Sequence, residues 1–426
     1  MSKRNLSTLG NIAEIITGPF GSMLHQSDYV STGIPVIMPQ DIGNRTLDKS
    51  AIAHIGAKDA ERLSRYQVQE NDIVYARRGD VEKHAFISAD DVGALCGTGC
   101  LRVRVSIKKA SPVYVSFYLN RPESKRWISQ HAVGSNMLNL NTQILNDVPI
   151  ELPLLDEQLR IASILNCIDQ KIQINAGACT ELESMAKTLY DYWFTQFDFP
   201  NENGKPYRSS GGEMVWNEQL KRKIPKGWKA ENIQKTCSII DCLHSQKPEQ
   251  LFVAEKYYLL QLENLVDLGL IDLQSKYYVS ADMYDLWTSR IQVEDGDLVV
   301  TNAGRVGAVS RIPRHVTAGI GRNMTAIRPN TIPAFFLYYF FKSPDFAVQM
   351  RANTDSGAFF GSLNVRGIKQ LLLTIPPVKS DVLKRFDSIV EPMRRKIESL
   401  QLENEELKKL RDWLLPMLMN GQATVE

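Results

Sequence analysis

Two stretches of this 426-residue chain carry the same narrow apolar stripe. The first places Ile161, Leu165, Ile168, Ile172, Asn175, Cys179, Leu182, Ala186, Leu189 and Trp193 at steps that alternate four and three. The second places Phe386, Val390, Met393, Ile397, Leu400, Asn404, Leu407, Arg411, Leu414 and Leu418 in the same register, 225 positions later (Ile161 to Phe386). Such alternation is the seam of a coiled-coil helix. A seam that narrow is covered only by another helix, so the spacing predicts two long helices packed on each other. About 33 residues at ~1.5 Å each give a rod of roughly 50 Å. Asn175 and Asn404 are polar seam positions that cost stability and fix register; in an antiparallel pair they can meet. Pro392 falls inside the second stripe without disturbing its register, which predicts a kink there.

The segments between the stripes repeat as well. Residues 68–74 (VQENDIV) answer to 293–299 (VEDGDLV), Gly79 to Gly304, and the Gly97-Thr-Gly99 turn to Gly319-Ile-Gly321. Strands are predicted at 12–17, 34–38, 72–76, 85–88 and 101–105, the last with a second copy at 325–328. Aromatic-rich 112–119 matches 333–340, and Gly134, Asn141 and Pro153 match Gly357, Asn364 and Pro376. An internal repeat decides a fold before any single element does. The fold class that follows is α+β: an internal duplication of two mixed, β-rich domains (1–153 and 225–377) and two long helices (within 154–199 and 378–426) packed as an antiparallel coiled coil. Pro, Gly and Asn crowd residues 200–224, which read as a linker. Two like halves in one chain usually relate by a pseudo-twofold axis, with the domains at opposite ends of the helix pair.

Hydrophobic content of 43% and charged content of 23% are those of a soluble globular chain. No run of eighteen apolar residues occurs and the N-terminus lacks the core of a signal peptide, so the cytoplasm is expected. A net charge of +2 neither suggests nor excludes nucleic acid, because local clustering decides that. The six cysteines stand singly, and Cys179 on the seam suits a reducing compartment. Neither they nor the six histidines show metal spacing. No phosphate loop, His-Glu-x-x-His or Gly-x-Ser-x-Gly occurs. Pro376-Pro377-Val378 lacks the flanking residues of an adenine-methylation motif, and Glu406-Leu-Lys408 lies on the coiled coil. No catalysis, cofactor or metal is expected of this chain.

Several phrases, in order along the chain, carry a resemblance: residues 17–22 (TGPFGS), 28–30 (DYV) with 33–36 (GIPV), 155–158 (LDEQ), 193–212 with its DFPNENGKPY core, 224–228 (IPKGW) and 410–421 (LRDWLLPMLMNG). Together with the duplication they resemble the specificity (S) subunit family of Type I restriction–modification systems over essentially the full length. The resemblance implies two target-recognition domains alternating with two spacer helices that pack antiparallel. Each domain would read one half of a bipartite, gapped double-stranded DNA target. The helices would dock two methyltransferase (M) subunits, and restriction (R) subunits would join the complex. From the residues alone, a duplicated coiled-coil protein–protein adaptor stays open as the alternative.

Under the DNA reading, Arg77, Arg78 and Lys83 lie in a loop after a strand, where guanidinium forks reach guanine edges or phosphates; the plainer reading is a solvated turn paired with Asp80 and Glu82. Asn302 and Arg305 occupy the partner loop, and Asn pairs with adenine. Arg322 and Asn323 follow the second Gly-x-Gly turn, where the first copy has Cys100 and Leu101. Ser22 offers a phosphate contact or marks a bare turn. Ser135 and Asn136 match a late loop at 355–360, whose Phe359 and Phe360 read as core rather than thymine contacts. Arg351 completes the candidate set.

Overall fold

The computed structural model describes residues 5–134, 137–243, 247–353 and 363–423. It divides into two compact units, Met1–Gln173 with Glu405–Glu426, and Ile174–Asn404.

In the first unit a four-stranded antiparallel sheet runs in the order Ala13–Thr17, Cys100–Val105, Ile73–Ala76, His84–Phe86. Ile73–Ala76 is buried along its whole length, as a central strand of β-branched and aromatic residues should be. A smaller sheet orders Tyr29–Val30, Ala53–Ile55, Ile34–Ile37 and Leu95–Cys96, the last pair parallel. Asn5–Thr8 pairs with Pro149–Leu152, so the domain's first and last strands form one ribbon. Helices Pro112–Leu119 and Pro122–His131 each start with proline in the first turn, where its missing N–H costs nothing. Residues 144–147 belong to a short helix, Thr142–Asp147, capped by the Asn141 side chain.

The second unit repeats this plan. Cys237–Asp241, Met324–Pro329, Leu298–Thr301 and Val309–Arg311 form the four-stranded sheet, and Lys229–Asn232 pairs with Leu372–Ile375. The small sheet has three strands, with Tyr258–Leu260 parallel to Gly319–Ile320. The repeated Asp of residues 68–74 and 293–299 has a common use. Asp72 takes the Nε and Nη2 of Arg104 at 2.8 and 2.6 Å; Asp297 takes those of Arg328 at the same two distances. Both carboxylates are buried, and the bidentate pair ties neighbouring strands.

Register corrects one sequence match. Ala76 faces Cys100 and Thr301 faces Met324. Gly97 N–H donates to Ile37 O (3.0 Å) as Gly321 N–H donates to Leu260 O (2.7 Å). Gly97 therefore corresponds to Gly321, and Gly99 to Asn323, two residues on from the match of glycine to glycine. Gly99 and Asn323 share a left-handed φ of +85° and +62°, a conformation Asn tolerates better than most side chains. Gly319 is a strand residue.

The long helices are Leu155–Tyr190 and Val382–Met419. The second runs unbroken through Pro392. Every seam position is buried or half-buried. In the first unit Ile161 and Leu165 share a core cluster with Leu415 and Leu418. In the second, Asn175 donates to Asn404 Oδ1 at 2.9 Å, Cys179 packs with Ile397 and Leu400, and Tyr190 and Trp193 pack on Phe386. Numbers rise on one helix as they fall on the other, so within each unit the pair is antiparallel.

The stretch read as a linker is folded onto the second unit. Phe199 stacks between Tyr207 and Trp228, at 4.8 and 4.9 Å between ring centroids, and Met214–Asn217 pairs with Arg222–Pro225 as a hairpin. Turn-forming residues marked its bends, but its aromatics supply a core that composition did not reveal.

Within the second unit, burial, with the nearby Glu391, pushes the Asp387 carboxyl up to about 6. A carboxyl raised above its unfolded value binds its proton more tightly when folded, so stability falls as pH rises from about 4 through 6. Asp387→Asn is expected to flatten that slope and stabilise the chain at pH 7 by about 1–2 kcal/mol, the upper limit reduced for partial exposure. Urea midpoints at pH 5 and pH 7 check this; an unchanged difference between them contradicts it.

Candidate nucleic-acid interface

One end of each four-stranded sheet gathers the candidate loops. In the first unit that end is Thr17, Ala76 and Cys100. Arg77 N–H donates to Gly99 O (2.7 Å), Leu140 N–H to Arg77 O (2.8 Å) and Gly79 N–H to Leu138 O (3.2 Å). Gly18 N–H donates to Cys100 O (2.9 Å), and the Thr98 hydroxyl to Pro19 O (3.0 Å). Four loops are thus laced edge to edge by their backbones. A Cβ on Gly18 would lie 2.0 Å from Gly97 O, so close packing accounts for this glycine; Ser22 is exposed beyond it.

Arg78 is exposed and Arg77 half-buried, its Nε without a partner among the described residues. Lys83 is ion-paired with Asp80 at 2.7 Å, and that bond raises its pKa, so the solvated-turn reading accounts for it. Glu82 instead accepts the Ser129 hydroxyl. Phe20, 57% exposed in the same cluster, is a flat apolar surface that sequence reasoning passed over. An exposed aromatic has no signature distinct from a core one.

In the second unit Asn302 N–H donates to Asn323 O (2.8 Å) and Leu363 N–H to Asn302 O (3.1 Å), the bonds that Arg77 makes in the first. Asn302 is buried, and its Oδ1 accepts the Thr325 hydroxyl at 3.0 Å. Pairing with adenine requires an exposed amide, so Asn302 is corrected to a residue that pins the loop. Arg305 is exposed, but its guanidinium binds Leu265 O and Asp267, the latter at 3.3 Å. Arg322 and Asn323 are exposed. Arg351 is exposed in the last turn of helix Pro344–Asn353, which packs against the Asn302 loop where Phe346 and Met350 meet Gly307. Ser135, Asn136 and residues 355–360 lie outside the described residues.

The globular part of each unit is fastened to the helices of that unit by a buried charge. In the first, Arg45 stacks on Phe117 at 3.4 Å and pairs with Asp169, which also takes Arg411 at 3.0 Å. In the second, Glu183 joins Arg394, Lys342, Tyr338 and Tyr339, and Arg394 reaches Leu268 O at 2.9 Å. Asp169 and Arg394 are equivalent by the 225-residue repeat, and Arg45 and Leu268 both have a left-handed φ, +61° and +58°. The joint is kept while its charges change places.

Residues 1–184 match the Type I restriction modification DNA specificity domain. That match covers the first unit's sheets and part of the first long helix. The four-stranded sheet of the second unit, outside that match, repeats that of the first with the same strand order. Among relatives, the chain is 24% identical over 326 residues to the Type I restriction enzyme MjaIX specificity subunit of Methanocaldococcus jannaschii, covering 74% of this chain and 69% of that protein. It is 22% identical over 409 residues to the putative MjaX specificity subunit of the same organism, covering 92% and 88%. The crystal structure of a Type I restriction–modification S subunit from M. genitalium superposes with a TM-score of 0.59 at 15% identity, covering 98% and 96%; that likeness concerns the fold. The relatives it resembles are named as specificity subunits, and the matched model as a DNA specificity domain. No helix among the described residues is long and apolar enough to cross a membrane.

Proposed function

We propose that this chain is a specificity subunit that reads a bipartite, gapped DNA target, one half-site per recognition domain, and places two methyltransferase subunits and their restriction subunits on it in the cytoplasm. The recognition domains are assigned to 1–153 and 225–377, and the spacers to the two long helices. The observation that carries this reading is the duplicated loop cluster, on a globular body that in each unit is joined to an antiparallel helix pair by a buried ion pair. Modification of both strands of an asymmetric site needs two enzymes about a pseudo-dyad, and a duplicated reader supplies that symmetry. Ser22, Arg78, Arg322, Asn323 and Arg351 are the candidates for DNA contact that are exposed and in no ion pair among the described residues. Phosphate contacts among them set position, and base-edge contacts set sequence.

The test is selection from a randomised duplex library by the full chain co-expressed with its methyltransferase subunits. A motif of two fixed blocks separated by a fixed gap is expected. Enrichment of no sequence favours the adaptor reading. Inserting one heptad into both long helices is expected to widen the gap by about three base pairs, since seven residues rise ~10 Å against ~3.4 Å per base pair. The two half-sites should stay as they were; altered half-sites with an unaltered gap contradict the assignment of spacing to the helices.

A further inference from the structure

The two loop clusters share a backbone but not the position of their free cation. In each unit the loop after the second strand of the four-stranded sheet in chain order bonds to the loop before its last strand, through Arg77 N–H to Gly99 O and Asn302 N–H to Asn323 O. In the first unit Arg78 stands exposed on the former loop. Opposite it, Gly99 has no side chain and the Thr98 hydroxyl is spent on Pro19 O. In the second unit Ala303 takes the place of Arg78, Asn302 is turned into the core, and Arg305 is bound to Leu265 O and Asp267. The exposed cation is instead on the other loop, Arg322, at the position of Thr98. Neither Arg78 nor Arg322 has a side-chain hydrogen bond or ion pair among the described residues, unlike Arg45, Arg104, Arg305, Arg311 and Arg328.

We infer that the two units read DNA from opposite loops of the same hydrogen-bonded pair, Arg78 in the first and Arg322 in the second, each taking a guanine. This rests on the DNA-reading function above. Guanine follows from the chemistry. A free guanidinium fork matches the O6 and N7 acceptors of guanine in the major groove, whereas a lysine at the same place offers only a point charge. Opposite loops of one backbone frame approach a groove from different sides. The two half-sites therefore place their guanines at different positions within the block.

The full chain with its co-expressed methyltransferase subunits, as wild type and as Arg78→Ala, Arg78→Lys, Arg322→Ala and Arg322→Lys, is selected on the randomised library and titrated at several salt concentrations. Arg78→Ala is expected to relax one guanine in one half-site by roughly tenfold or more, and Arg322→Ala one guanine in the other. The lysine variants should keep the wild-type salt slope yet discriminate as poorly as alanine. Uniform weakening across all sequences with a shallower salt slope would make these residues phosphate contacts and overturn the inference, leaving DNA reading intact. So would relaxation of the same half-site by both, or full discrimination by lysine. A wild-type complex that enriches no sequence removes the DNA-reading assignment and this inference with it.

Discussion

Glu183→Ala is expected to destabilise the chain by about 3–5 kcal/mol, the cost of breaking a buried ion pair from one side. Glu183 is 7% exposed and Arg394 1%. The carboxylate accepts from Lys342 at 2.7 Å, Tyr339 at 2.8 Å, Tyr338 at 3.0 Å and from Arg394. Truncation leaves Arg394 charged and buried, with the Leu268 carbonyl and the face of the Tyr338 ring, 4.6 Å away, as its remaining company. Most of the cost is that uncompensated cation rather than the worth of the pair. Glu183→Leu with Arg394→Met should therefore recover more than half of the loss, short of all of it because the Tyr339 hydroxyl and Lys342 lose their acceptor, while Tyr338 keeps Leu268 O at 2.8 Å. A double-mutant cycle by urea denaturation measures both; equal and additive losses from the two single variants would show that the groups are not coupled. The pH dependence has a definite sign. Burial acts to raise the Glu183 carboxyl, but Arg394 and Lys342 outweigh it and hold it below its ordinary 4.5. Its stabilisation is therefore complete above about 4.5 and is lost as pH falls through the depressed value. The alanine variant should lack that part of the acid transition.

Glu183 also marks where the sequence stops being readable. The seam announced itself because each helix buries a stripe against the other, and period alone reports a stripe. Glu183 and Arg394 each follow a seam residue by one position and would pass for a solvated face. They are buried because the globular part of the second unit covers that side of the helix pair, through Tyr338 and Tyr339, and no local pattern records a neighbour 155 residues away. The repeated Asp72 and Asp297 were legible as a phrase, but their partners Arg104 and Arg328 emerged only from strand register. The Gly-x-Gly match slipped by two for a related reason. Glycines at 97, 99, 319 and 321 align by identity, whereas the backbone aligns Gly99 with Asn323 because both supply a left-handed residue. Of the contact candidates, the loops were legible from charge after a strand. Which side chain stays free in them was not, since Asn302 and Arg305 are engaged by Thr325 and by residues near 265.

Phe386→Ala is expected to cost about 3–5 kcal/mol and to loosen the globular part of the second unit from its long helices. By the repeat, Phe386 takes the place of Ile161, yet the two seam positions are built differently. Ile161 shares a mixed cluster with the helix residues Leu165, Leu415 and Leu418, all aliphatic, and with Tyr114, Phe117 and Tyr118. Phe386 is fully buried, with its ring 5.1 Å from Phe194, 5.9 Å from Tyr190, 6.0 Å from Trp193 and 6.3 Å from Tyr339, three of these edge-on. Edge-on aromatic pairs add about 0.5–1.5 kcal/mol beyond the area they bury. Removing one ring leaves a cavity that four large, mutually braced rings cannot collapse to fill. Ile161→Ala should cost less, about 2–4 kcal/mol, because a smaller volume is lost beside branched helix side chains that relax more easily. Phe386→Leu, which restores most of the volume but none of the ring contacts, separates packing from aromatic geometry and is expected to fall between wild type and alanine. Urea unfolding followed by the fluorescence of Trp193 and Trp228, both in the same cluster, reads the change where it happens. A loss below about 1 kcal/mol for Phe386→Ala would mean that Glu183 and its partners, rather than this cluster, hold the helix to the domain.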